Sequence, residues 1–125
     1  MKHLLLLMLL CTSLSSYAQT NCDHFKVGKF EYTAPEMKGF TIIRTATTQT
    51  EIDNNTGAEV SGPIEWISDC EYVMTCKKIT MKDMQHLINK KITTKITKSE
   101  GEKYTCTATF EGMEFNMEII KVTDQ

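Results

Sequence analysis

From residue 26 onward, apolar and polar side chains alternate with a period of two, the mark of a strand that turns one face inward. In residues 104–110, Tyr104, Cys106, Ala108 and Phe110 alternate with Thr105, Thr107 and Thr109. Met113, Phe115, Met117 and Ile119 alternate in the same way with Glu114, Asn116 and Glu118. Glu111-Gly112 between these runs predicts a tight hairpin. Residues 26–33 read as a strand with Gly28, Phe30 and Tyr32 on one face, and residues 40–53 as one long bent strand rich in Thr and Ile. Asn54-Asn55-Thr56-Gly57 is a turn, because Asn and Gly tolerate positive φ. Residues 58–67 follow, broken or kinked at Gly62-Pro63, since proline cannot donate to a sheet ladder. Residues 69–79 place Cys70, Tyr72, Met74 and Cys76 on one face, and residues 91–99 turn at Glu100-Gly101 into the Tyr104 strand.

One segment departs from this period. Met81, Met84 and Leu87/Ile88 recur at helical spacing, with Thr80 placed to cap and Asp83 three residues on, which predicts a short helix over residues 81–89. The whole pattern predicts an all-β domain: an antiparallel meander of about seven strands, curled or closed so as to remove its edges.

Ahead of the domain, Lys2, the apolar run Leu4 to Leu10 and then Ser16-Tyr17-Ala18 give a charged start, a greasy core and a small-x-small site. That order reads as a secretory signal over residues 1–18, with residues 19–125 as the mature single domain. The apolar run is too short to span a bilayer. Leu10 stands where a lipobox has a small residue, so an acylated Cys11 is not expected. The destination is periplasmic or extracellular.

Cys11 leaves with the leader, and Cys22, Cys70, Cys76 and Cys106 remain. An even set in an exported chain predicts disulfides, with three connectivities open. Cys70 and Cys76 share a sheet face, yet six strand residues span about 20 Å, far beyond bridging distance. The arm before residue 26 most easily reaches the start of a strand, so Cys22–Cys70 with Cys76–Cys106 is the favoured pairing.

The whole chain carries a formal charge of −2, and losing Lys2 makes the mature chain one unit more negative, which does not suggest nucleic acid. Acids concentrate between Glu51 and Glu71, lysines between Lys77 and Lys98. Outside the leader the histidines are His24 and His86, and no nucleophile elbow, zinc-protease motif or phosphate loop is present. An enzyme is therefore not expected, nor a cofactor. Cys22-x-His24 offers two metal donors, but disulfide formation takes precedence and no metal site is expected.

The opening Phe25-x-x-Gly28-x-Phe30-x-Tyr32 resembles the first strand of the calycins, the lipocalin and fatty-acid-binding group, whose Gly-x-Trp motif plugs the closed end of the barrel. The resemblance implies a lipocalin-like barrel with Phe30 in the place of the tryptophan. Cys22-x-x-Phe25-x-x-Gly28-x-Phe30-x-Tyr32 followed by Trp66-x-x-x-Cys70-x-Tyr72 is similar to a group of small secreted bacterial β-rich proteins that carry no known activity.

If the sheet closes, Phe30, Trp66, Tyr72, Met74, Tyr104, Phe110, Phe115 and Met117 face inward, and Met113 with them, and line a pocket for a lipophile; methionine adapts to irregular ligand shapes. Arg44, the only arginine, shares a strand face with Ile42. In fatty-acid carriers an interior arginine holds the ligand carboxylate with its fork of donors, and the calycin resemblance gives Arg44 that role. The leading expectation is a non-enzymatic binding protein for a small lipophile. The alternative is an exported protein-interaction or inhibitor domain using strand edges or the lysine-rich hairpin.

Overall fold

A computed structural model describes residues 21–124, so the expected leader lies outside the described residues. The alternating runs become nine strands of one sheet: β1 (Gly28–Tyr32), β2 (Phe40–Arg44), β3 (Thr48–Asp53), β4 (Glu59–Ser68), β5 (Glu71–Thr75), β6 (Lys78–Ile79), β7 (Lys91–Glu100), β8 (Lys103–Phe110) and β9 (Met113–Thr123). All pairings are antiparallel; β9 returns to β1, and β3 joins β4, so eight strands close a barrel and β6 lies beside β4 as an extra strand. Closure leaves the wall without an open edge. Tyr104, Cys106 and Ala108 are buried along β8 while the threonines between them reach outward, as the alternation requires.

The stretch expected as one bent strand is a hairpin. Between β2 and β3 the Thr45 hydroxyl accepts hydrogen bonds from the Thr47 and Thr48 N–H groups, at 3.3 and 3.0 Å, and Thr45 N–H closes on the Thr48 carbonyl at 2.9 Å. A threonine side chain thus does what Gly or Asn does in commoner turns. The Glu111-Gly112 turn joins β8 to β9 with φ of 48° and 79°, the left-handed pair that a two-residue hairpin needs.

The break expected at Gly62-Pro63 falls on one edge only. Towards β3, β4 is continuous, with Gly62 opposite Gln49 and Pro63 opposite Thr48. On the other edge, three steps along β4 (61 to 64) face four steps of its partner (74 to 78), so β5 bulges before it resumes as β6. The Thr75 carbonyl settles over Gly62, where a Cβ would lie 1.7 Å from that oxygen. Glycine is required there by space.

The expected helix is a 3-10 helix, Lys82–Leu87, and the described residues contain no α-helix. Met81, Met84 and Leu87 repeat at intervals of three, the 3-10 period, so the spacing serves the tighter helix equally well. Thr80 does not cap it; its hydroxyl accepts instead from Glu59 N–H at 2.8 Å. The segment lies over one mouth of the barrel.

The opposite mouth is shut. A 3-10 turn, Asp23–Phe25, brings Phe25 into the barrel end, where its ring centroid lies 4.9 Å from that of Tyr104. Phe30, Ile42, Ile96 and Ile119 complete this core. The Cys22–Cys70 disulfide ties the arm to the turn between β4 and β5, and Lys121 Nζ donates to the His24 carbonyl at 2.7 Å.

Candidate ligand cavity

Closing the sheet carries Arg44 at the end of β2 into the interior, 1% exposed. Its Nε donates to Gln49 Oε1 at 2.9 Å, Nη1 to the Phe25 carbonyl at 2.6 Å, and Nη2 to the hydroxyls of Tyr72 and Tyr104 at 3.1 and 3.0 Å. The guanidinium also lies over the Phe30 ring, 4.5 Å from its centroid. Burial alone would weaken its hold on the proton, but the Tyr72 and Tyr104 oxygens more than compensate and the group stays charged. Most of its N–H donors are thus taken by the protein. Arg44 acts as a keystone between the sealing arm and the wall.

Above this layer the barrel is hollow. A cavity of about 260 Å³ is lined mainly by Tyr32, Ile42, Gln49, Tyr72, Met74, Ile92, Phe110, Phe115 and Met117. It shares Glu51, Val60 and Ile92 with a vestibule of about 590 Å³ under the Lys82–Leu87 helix, where Met81, Met84 and Leu87 form the roof. Gln49 forms part of the cavity wall next to the keystone: its Oε1 accepts from both Arg44 and Tyr72, and its Nε2 rests against Met74 Sδ at 3.7 Å.

Glu51 stands where the two spaces meet. Strand period places it on the same face of β3 as Gln49, and the Tyr32 hydroxyl donates to its Oε1 at 2.9 Å. Burial pushes its proton affinity above the ordinary carboxyl range, an effect that the Tyr32 bond partly offsets. Burial and then the Glu51 charge push the Tyr32 hydroxyl far up, so it remains a donor.

Of the residues expected to form a site, Tyr72, Met74, Phe110, Phe115 and Met117 line the cavity. Phe30 and Tyr104 are buried in the closed end, and Trp66 packs against Tyr72 with ring centroids 4.8 Å apart. These three and Arg44 are not part of the cavity wall. Met113 is 53% exposed, because β9 starts beyond the barrel rim. Tyr32, Gln49 and Glu51 were not among the residues expected to line the site. Their signal was strand parity: each shares an inward face with a residue already singled out, Tyr32 with Phe30 on β1, and Gln49 and Glu51 together opposite Arg44 and Ile42.

The expected Cys76–Cys106 disulfide is absent; both residues are buried thiols. Strand order explains this. Cys106 pairs with Ile96 of β7, whereas Cys76 N–H bonds the Lys90 carbonyl six residues earlier, with β7 between the two cysteines. That separation, about 20 Å along the sheet, excludes a bridge. Burial raises the proton affinity of Cys76, and that of Cys106 to about 11, with the Arg44 charge opposing the shift at Cys106. Cys22, Asp69 and Cys70 lie close enough to share a cation, but both sulfurs are in the disulfide and offer no thiolate. His24 Nε2 instead meets the Glu102 carboxylate at 2.9 Å. Among the described residues no helix is long and apolar enough to cross a membrane. No protein-family model, curated protein or solved structure matches the chain.

Proposed function

We propose that this chain is an exported, non-enzymatic binding protein for a small lipophile. The observation that carries the reading is the hollow interior: a barrel sealed at one end by Phe25, Phe30 and Tyr104 keeps a cavity of about 260 Å³ that widens into a vestibule under a methionine-bearing cover. A core of this size packed for stability alone fills such space, and concave, mainly apolar spaces with a few polar groups are where small ligands bind. The disulfide suits an oxidising, exported compartment. The calycin resemblance of the first strand points the same way.

A second reading, a protein-interaction module, is favoured by Met113 and Phe115, 53% and 48% exposed at successive positions on the inward-facing side of β9, where the strand passes the barrel rim. Strand edges no longer recommend it, because the barrel is closed.

Two measurements test the lipophile reading: native mass spectrometry of protein purified from its own exported fraction, and titration with a neutral, polarity-sensitive naphthalene dye. The expected results are a small-molecule adduct and saturable dye binding with a blue shift at one site per chain. A chain that comes out bare and leaves the dye in water overturns it and leaves the interaction module.

A further inference from the structure

We propose that the cavity selects lipophiles with a cationic, hydrogen-bond-donating head, a primary amine on an apolar tail, and that Glu51 holds that head; this rests on the lipophile reading above. The argument is one of charge placement. The charged side chains in the walls of the two joined spaces are Glu51 and Asp53, both acids, and neither lining contains a lysine or an arginine. The buried cations lie at the closed end: Lys121 is held by the His24 carbonyl and Asp124, and Arg44 is turned the other way and committed to Gln49, Phe25, Tyr72 and Tyr104. It has no free fork to offer a carboxylate.

Glu51 is held ready for such a head. The Tyr32 hydroxyl fixes one carboxylate oxygen, and among the described residues Tyr32 is the hydrogen-bond partner of that side chain. The other oxygen is left for a ligand at the junction of cavity and vestibule. An ammonium there gains charge-assisted hydrogen bonds in a weakly screened setting. A ligand carboxylate in the same place would put like charges together, and one of the two would have to take up a proton. The apolar tail then has Met74, Ile92, Ala108, Phe110 and Met117 on one side and Met81, Met84 and Leu87 on the other.

The test is displacement of the neutral naphthalene dye from the purified full mature chain by decylamine, decanol and decanoate at pH 7. Decylamine is expected to displace the dye at a concentration at least about tenfold below that of decanoate, with decanol between them. Glu51→Gln should bring decylamine to the level of decanol, whereas Asp53→Asn should keep decylamine ahead. Decanoate equal to or better than decylamine overturns the proposal, as does an amine preference that survives Glu51→Gln or disappears with Asp53→Asn. If Glu51→Gln does not fold, judged by its near-ultraviolet Trp66 signal, the order of the three heads on the wild-type chain decides. Failure of the dye itself to bind wild type is a separate outcome and removes the lipophile reading with this one.

Discussion

Arg44 is a buried cation whose hydrogen-bond partners are neutral: an amide, two tyrosine hydroxyls and a backbone carbonyl. A charge in that position is tolerated only because its donors are satisfied. Replacing it with methionine strands the Phe25 carbonyl and the Tyr104 hydroxyl, while Gln49 and Tyr72 keep their bond to each other; Arg44→Met is expected to cost about 3–5 kcal/mol, a large part of a small domain's stability. Arg44→Lys keeps the charge but loses the fork and the ring stacking, so it too should destabilise, by less. Urea unfolding followed by the fluorescence of Trp66 measures both, and an Arg44→Met chain as stable as wild type would refute the keystone role. Glu51 carries the opposite liability. Its folded proton affinity is raised above the ordinary value of 4.5, so its contribution is full below that pH and is lost as pH rises through the folded value. Ionising the buried group therefore weighs against the empty fold. Glu51→Gln, which still accepts from Tyr32, should melt above wild type at pH 7, and the gap should close as pH falls below about 4.5. A gap that is constant with pH would mean that the carboxyl is not strained in the fold. The buried thiols give a third residue-level expectation: Cys76 and Cys106 should resist alkylation at pH 8 in the folded protein and react once it is unfolded, while non-reduced peptide mapping finds Cys22 joined to Cys70.

At the scale of elements, what was legible in the sequence was whatever alternation alone decides. β8 was readable because Tyr104, Cys106 and Ala108 are inward and threonines outward, and a barrel wall imposes that parity. The same parity failed at Met113, since β9 starts beyond the rim and its inward face there meets solvent, while Phe115, the next residue on that face, lines the cavity though half-exposed. The β2–β3 turn was hidden because Thr45-Ala46-Thr47 contains no glycine, proline or asparagine; the turn depends on a hydroxyl that looks like any strand threonine. The Lys82–Leu87 segment misled because a repeat of three fits both kinds of helix. Cys76–Cys106 misled because spacing within strands says nothing about which strand lies between them. Gly62 shows the reverse case, where a residue read as a strand breaker is required by its neighbour. Gly62→Ala would set a methyl 1.7 Å from the Thr75 carbonyl oxygen, and backbone on both sides leaves little room to yield. That variant should lose several kcal/mol or fail to fold. Gly101→Ala makes the comparison, since nothing lies within 4 Å of its Cβ position and only its φ of 58° opposes the change. Thermal melts of the two should differ widely, and equal melts would mean that the β5–β6 bulge is free to move.

For the whole molecule, the question is how a thin-walled barrel keeps a cavity and still holds together. The void gives up contacts that a filled core would make, so stability has to come from the closed end. There Phe25, Phe30, Tyr104 and the Arg44 layer form the dense core, and the Asp23–Phe25 arm is the lid on it. The ties that hold that arm include the Phe25 ring in the core, Arg44 Nη1 on the Phe25 carbonyl, Lys121 Nζ on the His24 carbonyl, and the disulfide from Cys22 to Cys70. The disulfide differs from the others because it also constrains the unfolded chain. It closes a loop across a sequence separation of 48, for which the chain-entropy estimate is roughly 4 kcal/mol. Its loss should also loosen the arm, and with it the Phe25 carbonyl that accepts from Arg44, so the effects of removing disulfide and arginine should not add. The double variant Cys22→Ser/Cys70→Ser is therefore expected to lose about 2–4 kcal/mol, and adding Arg44→Met to it should cost less than Arg44→Met costs in the disulfide-bonded chain. Urea unfolding of all four combinations gives the coupling. Strict additivity would show that the arm and the keystone are independent, and that the closed end is not the single cooperative unit on which the open end depends.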